Sequence, residues 1–244
     1  MTLYVCGASF CTGEGLAKPE NNWTTFLSRT FNDSLVNTSA SGAGVSYITY
    51  NSIKDILQNS YNKVIIVWPP LNRPLMVRRE NNFLINGNSS MTNTLYGQSK
   101  EFKNYLTLYY KYWINDLYDL KFSLQQMLSL QNVLKNKCID YLFINTNNLN
   151  LSQWSRLSQL SATDKDMFLD AFDQMNDDQI LDEEREINTY LQQFDQERYY
   201  KPFTYNIYDD CMNRKLIDPK TNHPTEDGHQ YIANNLYRIW NHIF

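Results

Sequence analysis

The sequence predicts an α/β protein in which helices cover both faces of a central parallel sheet, a three-layer α/β/α arrangement. Short apolar runs of strand type alternate along the 244 residues with longer segments of helical periodicity, as in sheets built from strand–helix–strand units. One run, residues 63–68, is largely apolar and β-branched, which is typical of a strand buried on both faces. No linker rich in Pro or Gly divides the chain, so we expect a single domain over residues 1–244.

The first strand is predicted at residues 3–6, a short apolar run that leads directly into a turn of small residues, 7–15. In an open parallel sheet, ligands bind in the crevice at the carboxyl ends of the strands. A hydroxyl on the first such turn lies on this functional edge, and Ser9 is that hydroxyl. Cys11 is expected to be a small filler residue rather than a rival nucleophile.

Two further loops follow predicted strands. A short apolar run at 35–36 leads into a loop rich in Ser and Gly, 37–44, and the strand at 63–68 ends in a loop with three prolines, 69–74. Gly and Ser are common in such turns for conformational reasons alone, and proline stiffens a loop. Both loops leave the sheet where the first turn does, at the end of a strand.

The middle of the chain is predicted to be largely helical. Residues 101–135 carry apolar side chains separated by threes and fours: Leu106, Tyr110, Trp113, Leu117, Leu120, Leu124 and Leu128. We expect a long amphipathic helix that covers one sheet face and leads to a strand at 138–144. Residues 164–198 carry twelve acidic and three basic residues, which predicts an acidic helical insertion or lid around 150–200. A solvated helical face is the alternative.

Near the C-terminus, His223 precedes Pro224 and a segment of helical periodicity. Its apolar residues recur at steps of four, three and four: Ile232, Leu236, Ile239 and Ile243. Because Pro suits the first position of a helix, we expect His223 at the N-cap of the terminal helix, with its imidazole free to face a pocket. A purely capping role is the alternative, and His229 is expected to cap or pack.

The two ends together resemble the SGNH, or GDSL-like, hydrolase family, whose first motif is a Gly-Asp-Ser turn after strand one and whose last is an Asp-x-x-His-Pro segment before the terminal helix. Residues 7–9 (Gly-Ala-Ser) and 220–224 (Lys-Thr-Asn-His-Pro) stand in the corresponding places. The proline-rich loop followed by Arg is similar to a divergent branch found in tailed-phage genomes. The resemblance implies a flavodoxin-like sheet and hydrolysis of esters by a serine nucleophile.

By this resemblance, Ser9 is the nucleophile and His223 the general base. The oxyanion would be held by the backbone N–H groups of Ser9 and Gly42, with Asn72 as a further donor. Arg73 would contact the substrate. An ordinary loop residue is the alternative for Gly42, and Asn72 and Arg73 could equally bond the backbone or an anionic ligand.

Two positions depart from the family pattern. Ala8 stands before the nucleophile where the family has Asp, and Lys220 stands where the family has the carboxylate that orients the histidine. Asp218 is the nearest replacement, with Asp209 and Asp210 as weaker alternatives. A backbone carbonyl could orient the ring instead, or the chain has lost the chemistry.

Composition limits the other functions. Three histidines and four scattered cysteines without Cys-x-x-Cys spacing argue against a metal site, and no cofactor is implied. A net charge of −4 without a basic stripe argues against nucleic acid. No membrane-spanning apolar run or signal-type leader is present, so we expect a protein of the host cytosol. An aromatic content of 14% indicates a surface suited to carbohydrate or protein contacts.

The sequence therefore predicts a serine esterase, an acetylesterase that acts on a small ester or an O-acetylated glycan. The competing hypothesis is a non-catalytic descendant of the same fold, a virion structural or glycan-binding protein of a tailed phage that associates with itself or with other phage proteins. Ala8, Lys220 and the proline-rich loop at 69–74 favour the second hypothesis. Ser9, Gly42 and His223, in the family order, favour the first.

Overall fold

The computed structural model describes residues 1–71, 116–146, 159, 175–201 and 204–244. Within these ranges the central sheet has four parallel strands: β1 (Thr2–Cys6), β2 (Ser34–Asn37), β3 (Lys63–Trp68) and β4 (Asp140–Asn145). They lie in the order β2-β1-β3-β4, so the direction of strand succession reverses between β1 and β3. Open α/β sheets bind their ligands outside the carboxyl ends of the strands at such a reversal.

Six helices are present in the described part of the chain: α1 (Trp23–Phe31), α2 (Val45–Gln58), α3 (Asp116–Asn136), α4 (Asp177–Gln193), α5 (Ile207–Asn213) and α6 (Glu226–Ile243). Two short 3₁₀ helices, Ser9–Cys11 and Pro19–Asn21, follow β1. A small antiparallel hairpin of β5 (Ile217–Asp218) and β6 (His223–Pro224) precedes α6. None of the described helices is long and apolar enough to cross a lipid bilayer.

Alternate residues of each strand face the two helical layers. Tyr4, Ile66 and Phe143 pack with α2, α3 and α4, whereas Leu3 and Ile65 pack with α1, α5 and α6. All five are fully buried, and burying an apolar side chain of this size contributes about 1.5–3 kcal/mol. The sheet is thus covered on both faces, and the predicted three-layer α/β/α fold is confirmed.

The chain returns to the outer edge of β4 after α4. The Phe143 N–H donates to the Arg198 carbonyl oxygen (2.8 Å), and the Tyr200 N–H donates to the Phe143 carbonyl oxygen (3.0 Å). The resulting bridge between Phe143 and Tyr199 is parallel. It extends the sheet by one short contact in the strand direction already established.

The long helix predicted over 101–135 is present in its described part as α3, and residues 101–115 lie outside the described residues. Four predicted members of its apolar stripe are buried: Leu117, Leu120, Leu124 and Leu128. The strand predicted at 138–144 is β4. Local periodicity therefore identified both elements.

The helix α4 occupies the end of the acidic segment and packs on α3. Lys121 of α3 bonds the carboxylates of Glu183 (2.8 Å) and Glu186 (2.9 Å). These pairs are partly exposed, so each contributes about 1 kcal/mol or less. Residues 164–174 lie outside the described residues, and the role of the segment as a lid stays a prediction.

Candidate active site

The loops that follow β1 and β2 meet at the carboxyl edge of the sheet. The Ala40 N–H donates to the Gly7 carbonyl oxygen (3.2 Å), and the Asn37 side-chain amide donates to the Cys11 carbonyl oxygen (2.8 Å). These bonds hold the second loop against the turn that carries Ser9. The two predicted loops therefore border one site.

Ser9 begins a single 3₁₀ turn after β1, and it is partly buried. Its carbonyl oxygen accepts hydrogen bonds from the Thr12 N–H (3.1 Å) and the Thr12 hydroxyl (2.9 Å). Gly7 is required before this turn, because a Cβ there would lie 2.5 Å from Cys11 Sγ and 3.1 Å from the Val67 carbonyl oxygen. Within the described residues the Ser9 hydroxyl makes no hydrogen bond, so it is available to a bound group.

His223 lies in β6 beside this turn. Its Nδ1 is 2.7 Å from the Thr221 carbonyl oxygen. Because a carbonyl oxygen can only accept, Nδ1 carries the proton of the neutral ring and Nε2 has a free lone pair. The imidazole also packs on Phe10, the residue after Ser9, with ring centroids 5.6 Å apart. The structure thus places the predicted base beside the turn that carries the predicted nucleophile.

No hydrogen bond joins the Ser9 hydroxyl to His223 among the described residues. His223 Nε2 lies instead 3.9 Å from Oε2 of Glu14, and the Ser41 hydroxyl donates to the same oxygen. Catalytic hydrogen bonds are often long in ligand-free enzymes and shorten when substrate binds. Sequence reasoning missed Glu14, although its position between two glycines was an available signal.

The Asp218 carboxylate shapes the turn that leads to His223. Its Oδ1 accepts from the Lys220 N–H (2.9 Å), and the Asp218 carbonyl oxygen accepts from the Asn222 N–H (2.8 Å). The group bonded to the imidazole in this structure is the Thr221 carbonyl, not the Asp218 carboxylate. This geometry corresponds to the backbone-carbonyl alternative for orienting the ring.

The two weaker alternatives lie on α5. Asp210 accepts hydrogen bonds from the Tyr231 hydroxyl (2.8 Å) and from Nε of Arg214 (3.2 Å), and Asp209 accepts from the Asn206 side-chain amide (2.9 Å). Neither carboxylate bonds to the His223 imidazole in the described part of the chain. Their bonds hold α5 against α6 and cap the start of α5.

The terminal helix begins later than the sequence predicted. Helix α6 begins at Glu226, and its N-cap is Thr225, whose hydroxyl accepts from the Gly228 N–H (3.1 Å). The expectation that His223 is the N-cap is therefore wrong. A Thr hydroxyl satisfies the free N–H groups at a helix start directly, and Pro224 belongs to the β5–β6 hairpin instead.

Gly42 occupies the left-handed position of the turn before α2. Its φ is +76°, and the Ala43 N–H donates to the Ala40 carbonyl oxygen (3.0 Å), a turn that favours Gly at its third residue. The Gly42 N–H makes no hydrogen bond in the described structure, so it is available as a donor. Asn72 and Arg73 lie outside the described residues.

Cys11, two residues after Ser9, is not activated. Burial raises the pKa of the Cys11 thiol well above its usual range, so the thiol stays protonated at neutral pH. This supports a packing role for Cys11. Among the described residues no group of three or more His, Cys, Asp or Glu side chains is arranged to hold a metal ion.

His229 is a second histidine near the site, and it is fully buried near the start of α6. Its Nδ1 accepts from the Trp23 N–H (3.2 Å), so the neutral ring carries its proton on Nε2, which has no partner in the described residues. Burial, and secondarily the nearby His223, lower the pKa of His229 to about 4. The ring therefore packs as a neutral group.

We expect His229 to make the protein less stable in acid. The pKa is about 6.5 in an unfolded chain, so the unfolded state binds more protons than the folded state between the two values. The contribution of neutral His229 to the free energy of unfolding is fully present above the unfolded pKa, and it is lost as the pH falls toward the folded pKa of about 4. Between about pH 7 and pH 4.5, protonation of His229 in the unfolded state should lower the free energy of unfolding by about 2 kcal/mol.

Denaturant unfolding of the parent and of His229→Asn at both pH values measures this cost. Asparagine cannot titrate, and its side-chain oxygen can still accept the Trp23 N–H. Between these two pH values, the free energy of unfolding of the variant should fall by about 2 kcal/mol less than that of the parent. Equal losses in the two proteins would contradict the prediction.

Comparison with known proteins identifies the fold. No protein-family model matches the sequence, and no curated protein matches it significantly. TesA aligns over 100% of both chains with a TM-score of 0.52 at 12% identity. The salicylyl-acyltransferase SsfX3 from a tetracycline biosynthetic pathway aligns over 99% of this chain and 54% of its own, with a TM-score of 0.50 at 12% identity. A member of the lipolytic protein G-D-S-L family from Veillonella parvula DSM 2008 aligns over 99% of both chains, with a TM-score of 0.46 at 10% identity.

The chain therefore has the three-layer α/β/α fold of TesA. The alignment covers the whole length of both proteins. At this level of identity the similarity defines the fold, and the chemistry has to be argued from the residues at the sheet edge.

Proposed function

We propose that this chain is a serine hydrolase of the SGNH type that cleaves carboxylic esters. One observation carries the proposal. At one edge of the sheet, the turn that carries Ser9 contacts a histidine, and Nδ1 of this histidine bonds a backbone carbonyl. Ser9 and His223 come from opposite ends of the chain, and packing of the β5–β6 hairpin on the first turn brings them together. The order of the sequence motifs also supports the proposal.

In the proposed reaction, the Ser9 hydroxyl attacks the ester carbonyl carbon while Nε2 of His223 takes the hydroxyl proton. The N–H groups of Ser9 and Gly42, with Asn72 as a third donor, hold the negative oxygen of the tetrahedral intermediate. The imidazolium then protonates the leaving alcohol, and water hydrolyses the acyl-serine along the same path. Thr221 holds the Nδ1–H throughout, as a carboxylate does in a Ser-His-Asp triad.

The carbonyl acceptor has a consequence for rate. A neutral carbonyl stabilises the imidazolium less than a carboxylate does, because hydrogen bonds to charged acceptors are roughly twice as strong. We therefore propose an enzyme of modest turnover. Its ring orientation, by contrast, is as well defined as in a triad, since the 2.7 Å bond leaves only Nε2 free to act as base.

Among esters, we propose acetyl groups on glycans as the substrate class. The family resemblance and the aromatic content of 14% support this choice, because aromatic faces suit sugar rings. Arg73 would contact the substrate beside the third oxyanion donor. Release of acetate from O-acetylated glycans, compared with release from simple acetyl esters, measures this preference.

Covalent labelling with a fluorophosphonate probe tests the proposed nucleophile, because such probes react with activated serine hydroxyls. We expect the parent to be labelled on Ser9 and the variants Ser9→Ala and His223→Ala to lose labelling. Ser129→Ala is the matched control. Ser129 is exposed on α3, and its hydroxyl donates to the Gln125 carbonyl oxygen (2.9 Å), so labelling should equal that of the parent.

A second candidate function follows if the folded parent is not labelled. The missing hydrogen bond between Ser9 and His223 in the described residues, together with Ala8 and Lys220, favours a non-catalytic protein that binds glycans or other virion proteins. Glycan binding without release of acetate would support that candidate. Labelling of Ser9 would contradict it.

A further inference from the structure

We propose that Glu14 makes this site selective for charge, so that it favours esters with a cationic group close to the reacting carbonyl and disfavours anionic ones. This inference rests on the proposed function and specifies its substrate class. It begins from a residue that neither the sequence motifs nor the proposed reaction uses. Glu14 lies in the turn after β1, beyond the nucleophile, and its carboxylate lies 3.9 Å from Nε2 of His223.

The backbone on both sides of Glu14 is fixed in the left-handed region. Gly13 has φ +77° and Gly15 has φ +87°, conformations that favour glycine. A Cβ on Gly13 would lie 2.5 Å from the Pro19 carbonyl oxygen, and a Cβ on Gly15 would lie 3.0 Å from the Thr221 hydroxyl oxygen. The segment is therefore packed tightly against the hairpin that carries the histidine, and the position of Glu14 is defined by the fold.

The carboxylate of Glu14 lies between His223 on one side of the site and the loop that carries Ser41 on the other. Its Oε2 lies 3.9 Å from Nε2 of His223 and accepts a hydrogen bond from the Ser41 hydroxyl. Ser41 directly precedes Gly42, the proposed oxyanion donor. A bound ester has to lie between the base and this donor, so its substituents pass close to the carboxylate.

Within the described residues no Lys or Arg side chain forms an ion pair with this carboxylate. Within the described residues the one ion-pair partner of Glu14 is His223, which is neutral when it acts as base. The Glu14 side chain is 46% exposed, so it faces the cleft and solvent together. A unit charge on the substrate about 4–5 Å from this partly exposed carboxylate should change the labelling rate by about threefold, so exchanging a cationic for an anionic group should change it by about tenfold.

Labelling rates with three phosphonate probes test the inference. The probes share one leaving group and differ in a trimethylammonium, a neutral tert-butyl or a carboxylate terminus. In the parent we expect the cationic probe to react faster than the anionic one, and Glu14→Gln to reduce that ratio about tenfold. At about 1 M salt, where the Debye length is about 3 Å, the ratio in the parent should fall toward that of the variant.

Glu197→Gln is the matched control because it removes the same charge at the other end of the sheet. Glu197 is exposed and precedes Arg198, whose guanidinium pairs with Asp140 at the first residue of β4 (3.2 Å). In Glu197→Gln, the ratio of the labelling rates with the cationic and anionic probes should equal that of the parent. Equal ratios in the parent and in Glu14→Gln would overturn the inference while leaving the proposed hydrolase intact.

A binding measurement separates the inference from catalysis. Acetylcholine and 3,3-dimethylbutyl acetate are nearly isosteric acetyl esters that differ in one positive charge. Calorimetric titration of the Ser9→Ala protein should show about threefold tighter binding of the cationic ester, and the double variant with Glu14→Gln should lose that difference. If the parent is not labelled, the hydrolase proposal fails, and this titration still decides the charge preference. Equal affinities in Ser9→Ala would overturn it.

Discussion

Replacement of His223 by glutamine is expected to lower the rate of ester hydrolysis by about 10³-fold, whereas Asp218→Asn should lower it by less than about tenfold. Glutamine cannot take the Ser9 proton, so the nucleophile loses its base. The Asp218 carboxylate bonds the Lys220 N–H rather than the imidazole, and asparagine keeps a side-chain oxygen for that bond. The kcat/KM for an activated acetyl ester measures both effects.

The contrast between these variants identifies the group that orients the ring. In a Ser-His-Asp triad, loss of the aspartate charge costs about 10⁴ in turnover because the imidazole takes the wrong tautomer. Here the Nδ1–H has the Thr221 carbonyl as its partner at 2.7 Å, a backbone group that Asp218→Asn does not remove. A loss of about 10³-fold in Asp218→Asn would contradict the assignment and would place that carboxylate on the ring during turnover.

The nucleophile provides an internal control for this prediction. If Ser9 and His223 act as a unit, Ser9→Ala combined with His223→Gln should be no slower than Ser9→Ala alone. The His223 side chain is mostly buried, at 16% exposed, so the thermal unfolding of His223→Gln has to be measured beside that of the parent to show that the fold is intact. A further loss in the double variant, with the fold intact, would show that the two residues act separately.

Much of the fold could be predicted because each strand of the central sheet has a local signal, whereas the β5–β6 hairpin has none. The apolar run at 63–68 became β3 and the run at 3–6 became β1, and the small residues after β1 mark the end of a strand without reference to any distant residue. The place of Ser9 follows from that boundary alone. His223 could be placed near the same edge because it stands close to an amphipathic terminal helix.

The groups that contact the histidine could not be predicted in the same way. Every residue has a carbonyl, so no pattern of side chains marks Thr221 as the acceptor. The meeting of Glu14 with His223 depends on how the first and last segments pack, which local periodicity does not encode. The helix start was misplaced because Pro224 satisfied one helix-start preference while the stronger capping group, the Thr225 hydroxyl, stood one residue later.

Gly228→Ala is expected to lower the free energy of unfolding by about 3 kcal/mol, although Gly to Ala inside a helix normally raises it by about 1 kcal/mol. A Cβ at this position would lie 2.6 Å from the Leu216 carbonyl oxygen and 3.0 Å from Cβ of Pro224. The Leu216 carbonyl also accepts from the Thr225 N–H (2.9 Å), so it is held in place and cannot move away without breaking that bond. Steric overlap therefore outweighs helix propensity.

The same contact connects stability to catalysis, because helix α6 approaches the β5–β6 hairpin at Gly228 and that hairpin carries His223. Gly228→Ala has to separate the two elements, so we expect kcat to fall together with the denaturant midpoint. Asn234→Ala is the matched control: Asn234 is exposed on the same helix, and its replacement should change the stability by no more than about 0.5 kcal/mol and leave kcat unchanged. A Gly228→Ala protein with the denaturant midpoint and kcat of the parent would contradict the prediction, and the hairpin would then owe its position to its own hydrogen bonds rather than to the close approach of the helix.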